Sequence, residues 1–519
     1  MQQPLFILSE DSERTRGKDA QESNITAGKA VANAVRTTLG PRGMDKMLVD
    51  SSGDVVVTND GATILNEMDI EHPAAQMIVE VAENQEIEVG DGTTTAAVLA
   101  GELLSQAEDL LDSDIHPTVI VEGYHEAARF AAEAIDEQVI EAEPSDEQLR
   151  EVAETSMTGK GTGNVTAETL AEHVVAAVRQ IQADDGSIDR EDIQIHTQVG
   201  ASTSATEVVE GVIVDEEPAH QNMPRSVEDA TVAILDAKLE VREAEIDTEY
   251  NITSVEQLNA AIDAEEKELR GYVEALEDAG VDVLFATKSI EDRVVGHLAD
   301  AGILAFESLS SSDARSLANA TGATQLGTIQ DIDPEDLGTA ESITVETYDE
   351  DDLAFVTGGT DAKNVTLFAR GGTEHAVEEL DRALNDGIDV VIASIERNGI
   401  VPGAGGTEIA IADHVRDHAA SVEGRKQLAI ESFADAVDAL PRTLAENTGM
   451  DPIDALVDLR SAFDADGRAG IIATGQHGTI GDPIEAAIFD PAAVKHEAIE
   501  SATEAATLIL RIDDVISAD

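Results

Sequence analysis

The stretch Gly90-Asp91-Gly92-Thr93-Thr94-Thr95 sets three hydroxyls and two glycines at a point where a helix begins. Threonine is a mediocre helix former, because its β-branch restricts χ1 against the preceding turn. One Ser or Thr would be enough to cap a helix end. Three in a row suggest another use. A helix N-terminus presents unpaired N–H groups and the positive end of the macrodipole, and both suit a phosphate. Glycine lets backbone approach such a ligand closely, and threonine hydroxyls add donors. An aspartate at the mouth can hold Mg2+ between β- and γ-phosphates. The plainer alternative is an ordinary capped helix with Asp91 as its N-cap. No G-x-x-x-x-G-K-[ST] signature occurs in the chain.

Five other stretches could contribute, and each has a plainer reading. Thr38-Leu39-Gly40-Pro41-Arg42-Gly43 is a second glycine-bearing turn, or a plain helix C-cap. Asn59-Asp60-Gly61 is a turn or an acidic corner of a site. Lys160, in "TSMTGKGTGN", stands out because lysine is scarce here, although lone loop lysines are usually just exposed. Asp386 lies on the helical face opposite Leu384 and Ile388, where a solvated acid is the default. Gly403-Ala404-Gly405-Gly406 is a loop on any reading.

The elements that must position these residues can be read from periodicity. "NITAGKAVANAVRTTLG" predicts a helix ending at Gly40. "KMLVDSSGDVVVTNDG" predicts two short strands around Ser-Ser-Gly. Helices are expected over 73–88 and 92–111, joined by the Gly-Asp-Gly corner, with further helix to about residue 140. In the middle, "ATVAILDA", "VDVLFATKS" and "ILAFESL" read as apolar strands, the last two separated by a helical pattern, which predicts a parallel βαβ layer. No G-x-G-x-x-G follows any of these strands, so the layer is not expected to hold a nucleotide. Residues 241–268 stand apart, with a capping box of Ser254 and Gln257 ahead of a helix. A long helix from residue 373 carries Leu380, Leu384, Ile388, Val391 and Ile395, and the last third is again helical.

The composition narrows the function classes. With 519 residues, the chain has room for about two to four domains. Its 32 Lys plus Arg against 107 Asp plus Glu give a formal charge of −75. Regular apolar spacing argues against disorder, and no basic footprint for nucleic acid is visible. What remains is a surface adapted to very high salt, where counterions screen the self-repulsion. The absence of Trp and the 3% of aromatic residues agree with that reading. With no Cys, disulfides and thiolate metal sites are excluded. Neither a signal peptide nor a membrane span is legible, so a soluble cytoplasmic protein is expected.

Taken in order, "TTLGPRGMDKMLVD", "TNDGATIL", "VGDGTTTAAVLAGELL", "TSMTGKG", "ARGGTEHAVEELDRALNDGIDVV", "VPGAGGTEI" and "LRIDDVI" resemble the group II chaperonins, the archaeal thermosome subunits, across essentially the whole chain. The resemblance implies a multi-domain subunit. A mainly α-helical equatorial ATPase domain would comprise 1–143 and 401–519. An α/β intermediate domain would comprise 144–212 and 365–400. An α/β apical, substrate-facing domain would span 213–364, with a helical protrusion at 241–268 serving as a lid. It also implies roles by position. Asp91 would hold Mg2+, and Gly92, Thr93, Thr94 and Thr95 would bind phosphates. Gly40, Pro41, Gly405 and Gly406 would line the nucleotide, with Asp490 of "IFDPAAV" near the ribose. Asp60 and Asp386 would position the attacking water, and Lys160 would sense the γ-phosphate. The implied ligands are ATP and Mg2+, with K+ as a possible companion. The implied partners are unfolded proteins and other subunits in a double ring of eight per ring, with neither nucleic acid nor membrane. A nucleotide-binding scaffold subunit with little turnover is the alternative, and the intact Asp60, Asp91 and Asp386 favour hydrolysis.

This chain departs from the family pattern in three places. It carries no Gly- and Met-rich tail after "DDVISAD", Asp386 is followed by Gly387 where Ala is usual, and Ala404 interrupts a glycine run. The shorter chain also suggests a paralogue that works mixed with other subunits. The charge yields a direct prediction: the unfolding temperature should rise from low to molar KCl. A flat or falling series would contradict adaptation to salt.

Overall fold

The computed structural model describes residues 13–519, apart from 50–52, 54, 161–164, 184–185, 242–254, 349–350, 360–363, 398, 474–476 and 518–519. The chain divides into two compact units, one of Met1–Val175 with Arg382–Asp519 and the other of Ala176–Asp381.

The first unit is built around a single buried helix, Thr93–Asp112. Its stretch "AAVLAGELL" is apolar but for Glu102, which pairs with Arg36; Ala96 to Ala100, Leu103 and Leu104 are fully buried. The helices Lys18–Val35, Pro73–Val89, Lys426–Val437 and Ala492–Leu510 pack on it. Small residues set how closely they approach. A Cβ at Gly101 would collide with that of Ala32 on the Lys18–Val35 helix. The Pro117–Gln138 helix joins this core through Tyr124, whose buried hydroxyl donates to the Leu103 carbonyl at 2.8 Å. Near the ends of the chain, strands Glu13–Arg16 and Asp514–Ser517 pair antiparallel.

Both helices expected around the Gly-Asp-Gly corner form, as Pro73–Val89 and Thr93–Asp112. The two expected strands form an antiparallel pair, Lys46–Val49 with Val55–Thr58. One boundary differs. The first helix ends at Val35, a 3-10 turn over Arg36–Thr38 follows, and Gly40 lies beyond it at φ +84°. The long helix forms as Glu374–Glu396, with Leu380, Leu384, Ile388 and Val391 fully buried.

The second unit holds a seven-stranded sheet, and it is mixed where the sequence predicted a parallel layer. Its order is Gly211–Val214, Asp351–Thr357, Gly338–Tyr348, Ser226–Leu235, Val283–Ala286, Leu304–Phe306, with Gln325–Leu326 also on Ser226–Leu235. The expected βαβ unit is present at one end, where Val283–Ala286, the Asp292–Ala301 helix and Leu304–Phe306 follow in parallel. The other half is antiparallel. Fully buried parallel strands read as continuous apolar runs, whereas Gly338–Tyr348 reads "GTAESITVETY" with intermittent burial, a signal that a search for apolar runs passes over. A second sheet joins Ile193–Val199, Val365–Gly371 and Glu207–Val209.

The helix predicted after Ser254 begins at Val255 and continues past 268 to Ala279. Leu269 and Leu276 are fully buried in the unit's core, while Val255 and Ile262 are exposed. The helix expected of the protrusion thus continues into a core helix. Residues 242–254, with Ile246, Tyr250 and Ile252, lie outside the described residues, as does the Leu258 side chain. No helix among the described residues is long and apolar enough to cross a membrane.

These packing differences predict opposite responses to one substitution. Gly101→Ala should destabilise by about 1–3 kcal/mol, because the Lys18–Val35 helix must move. Gly271→Ala, in a helix with open space around the site, should stabilise by about 0.5–1 kcal/mol. Calorimetric unfolding at fixed molar KCl checks both.

Candidate nucleotide site

The Gly-Asp-Gly corner is a pair of left-handed turns. Gly90 ends one helix at φ +67° and Gly92 starts the next at φ +82°. A side chain at Gly90 would collide with Asp389, and a Cβ at Gly92 would lie 2.7 Å from Val494 Cγ1. The corner is held from below by buried Gln85, whose Nε2 donates to the carbonyls of Asp91 (2.8 Å) and Val494 (3.2 Å). Asp91 is not the N-cap. The N-cap is Gly92, which offers no side-chain cap, and Asp91 Oδ1 accepts from the Gly92 N–H at 2.6 Å. The first turn of the threonine helix therefore carries N–H groups without a side-chain cap, beside three hydroxyls.

This helix end opens into a cleft of about 600 Å³, the size of a small-molecule site. The cleft is lined by Gly40, Pro41, Asp60, Asp91, Gly92, Thr93, Thr94, Thr95, Lys160, Gly405 and Asp490, so eleven of the thirteen residues singled out from sequence converge. Gly406 and Asp386 are not in the lining. Gly406 is buried as the first residue of the Gly406–Ala419 helix, behind the N-cap Gly405 at φ +78°. Asp386 reaches the site through an ion pair with Lys160, and both side chains are largely buried. The solvated face that the helical wheel assigned to Asp386 is thus an internal face.

The turns interlock. Asp60 caps the Gly61–Glu67 helix, its Oδ2 accepting from Thr63 N–H at 2.7 Å, and a Cβ at Gly61 would collide with Thr94 Oγ1. Asn59 Nδ2 donates to the Gly159 carbonyl at 2.9 Å, which fixes the residue preceding Lys160. Gly40 is pressed against Leu444, and Asn447 Nδ2 donates to the carbonyl of Leu39 at 2.9 Å. Ala404 occupies the left-handed region at φ +57°. That costs a residue with a Cβ about 1 kcal/mol or more, so the departure from the glycine run leaves strain in the cleft wall. At Gly387 a Cβ would sit 3.3 Å from Met157 Sδ, so the missing methyl lets the Glu374–Glu396 helix pack closely.

Carboxylates dominate the electrostatics. Burial pushes the Asp91 carboxyl above its usual range and Asp490 adds to this, while Lys160, the Gly92 N–H and Lys495 oppose it. Glu86 is pushed up to about 8 by burial and by the charges of Asp60 and Asp91. Such a crowd of carboxylate oxygens suits a divalent cation. Lys495 lies between Asp490 (2.6 Å) and Glu408 (2.7 Å). Burial alone would lower its pKa, but the two carboxylates outweigh that and raise it. Glu86, Glu408 and Lys495 were not found from sequence. Lysine scarcity, the signal that singled out Lys160, applied equally to Lys495, five residues after Asp490.

The chain matches the model of the TCP-1/cpn60 chaperonin family over residues 31–519. It is 68% identical over 519 residues to thermosome subunit 3 of Haloferax volcanii, covering 100% of this chain and 99% of the relative. It is 53% identical to thermosome subunit alpha of Halobacterium salinarum, covering 99% of this chain and 92% of the relative. With thermosome subunit beta of Methanothermobacter thermautotrophicus the identity is 49%, covering 100% and 95%. On a match of this extent, with relatives aligned over nearly their whole length, the chain belongs to the TCP-1/cpn60 chaperonin family, in its group II, archaeal branch.

Proposed function

We propose that this subunit hydrolyses ATP in the cleft at the Thr93–Asp112 helix and couples hydrolysis to enclosing non-native proteins in a ring of subunits. The observation that carries the reading is the uncapped, hydroxyl-rich helix start, facing a cleft that a buried lysine–aspartate pair adjoins. The backbone N–H groups and hydroxyls of Thr93, Thr94 and Thr95 would bind phosphate oxygens. Gly40, Pro41, Gly405 and Gly406 would form the walls, and Asp490, braced by Lys495, would face the sugar. Asp91, its carboxyl crowded by its surroundings, would hold Mg2+, which neutralises charge on the phosphates when bound.

Phosphoryl transfer to water depends on positioning and charge neutralisation. Asp60 has Oδ2 committed to its own helix, leaving Oδ1 to accept from a water. Asp386 is neutralised by Lys160. A γ-phosphate would compete for the Lys160 ammonium and release Asp386 to orient the same water, which makes the ion pair a switch that substrate throws. The division into equatorial (1–143, 401–519), intermediate (144–212, 365–400) and apical (213–364) parts is adopted with this reading, and so is the lid at 241–268. Subunits named 1, 2 and 3 of Haloferax volcanii are all similar to this chain, which supports mixed rings. Eight subunits per ring, K+ as a companion ion and a cytoplasmic location complete the proposal.

Asp386→Ala should lower turnover by about a hundredfold or more while Mg-ATP affinity stays within a few-fold. Asp386→Asn, which keeps the shape, should behave alike. Asp91→Ala should instead weaken Mg-ATP binding by more than about tenfold. Steady-state hydrolysis and equilibrium nucleotide binding separate these effects, and parent-rate turnover in Asp386→Ala refutes the assignment. The lid makes a second prediction. A salt-tolerant protease should cut within 241–268 in nucleotide-free rings. With Mg-ADP and a γ-phosphate mimic the same cuts should be strongly suppressed; equal cutting in both states of assembled rings would mean that the segment is no lid.

A further inference from the structure

A second cluster of ligating side chains lies outside the cleft. His414 and His418 are four residues apart on the Gly406–Ala419 helix, so they share one face. That helix packs on Pro117–Gln138, which presents Glu133 and Glu137, also four apart. One ligand atom each from Glu133, His414 and His418 lies within 4.8 Å of the other two. We propose that these three residues bind one borderline divalent transition-metal ion, of the Zn2+ class, which ties the two helices together.

One hydrogen bond and one nearby carboxylate orient the histidines for this. His418 Nδ1 is 2.9 Å from the His414 carbonyl, which can only accept, so Nδ1 carries the proton and Nε2 keeps its lone pair. His414 Nδ1 faces Glu137 Oε2 at 3.5 Å, the arrangement of a carboxylate that orients a metal-binding imidazole. His414 Nε2 is buried and has no hydrogen-bond partner among the described residues. A buried imidazole nitrogen left so is unfavourable, and a metal ion would satisfy it. The rings are also held in place. His414 and His418 stack at 4.2 Å between centroids, and His418 stacks on Phe130 at 4.7 Å.

Two imidazoles and one carboxylate select the ion. Mg2+ and Ca2+ prefer oxygen-only shells, as at Asp91, whereas Zn2+, Co2+ and Ni2+ accept imidazole nitrogen. Three protein ligands leave room for a water or for Glu137. Glu133 is exposed, and its contact with Arg129 is long, 3.9 Å, so an incoming cation displaces little. The neighbouring His496 pairs with Asp136 at 3.1 Å and stands outside the cluster, which makes it a control.

The test uses the full chain in molar KCl with Mg2+ in excess, so that weak binding to surface carboxylates is suppressed. Zn2+ titrated calorimetrically should bind at one equivalent per chain. Glu133→Gln and His414→Ala should each weaken it about tenfold or more, while His496→Gln leaves it unchanged. Because Glu133 is exposed, its variant reports even where a histidine variant fails to fold. X-ray absorption of the zinc-loaded protein should show two imidazoles. The proposal is overturned if the parent binds Zn2+ no more tightly than Glu133→Gln, or if the bound zinc has an all-oxygen shell.

Discussion

The architecture of the first unit depends on one arrangement: a helix packed against four others whose first turn is left without a side-chain cap. Thr93–Asp112 is surrounded by four other helices, so its position is fixed by packing. The Gly90 and Gly92 turns aim its N-terminus into the cleft, and neither position tolerates a Cβ without a collision or a crowded contact. A helix end normally acquires a side-chain cap. Here the N-cap is a glycine, and the aspartate before it accepts only from the Gly92 N–H, leaving the threonine turn free to serve an anion.

Charge is handled differently inside and outside. A chain of net charge −75 could place acids anywhere, yet in the site each buried cation has acidic partners. Lys160 pairs with Asp386, and Lys495 is held by Asp490 and Glu408. Buried pairs of this kind contribute little net stability, because desolvation offsets attraction, but breaking one is costly. A phosphate that competed with Asp386 for Lys160 would link the proposed chemistry to the Glu374–Glu396 helix.

Much of this was legible in the sequence where local pattern and contact coincide. The Gly-Asp-Gly-Thr-Thr-Thr corner, the hairpin strands and the βαβ unit each declare themselves within a few residues. Three features did not. Asp386 lies opposite the apolar stripe of its own helix, and only a partner more than two hundred positions away, Lys160, shows that face to be internal. Glu86 lies in an ordinary helical pattern, and its perturbation arises from carboxylates on other turns. The antiparallel half of the large sheet was missed because its strands mix threonine and glutamate with apolar residues; Gly338–Tyr348 and Asp351–Thr357 pair locally, but their outer neighbours, Ser226–Leu235 and Gly211–Val214, lie more than a hundred positions away. Tertiary proximity, absent from any local window, separates the two groups.

Every step of the proposed hydrolysis requires that phosphate bind at the bare start of the Thr93–Asp112 helix. A density map of the assembled protein with Mg-ADP and a γ-phosphate mimic tests it most directly. Binding there predicts phosphate density within hydrogen-bonding distance of the Thr93, Thr94 and Thr95 N–H groups. It also predicts a cation on Asp91 and a Lys160 ammonium moved from Asp386 toward the mimic. Phosphates seated elsewhere in the cleft, with the Lys160–Asp386 pair intact, would contradict it.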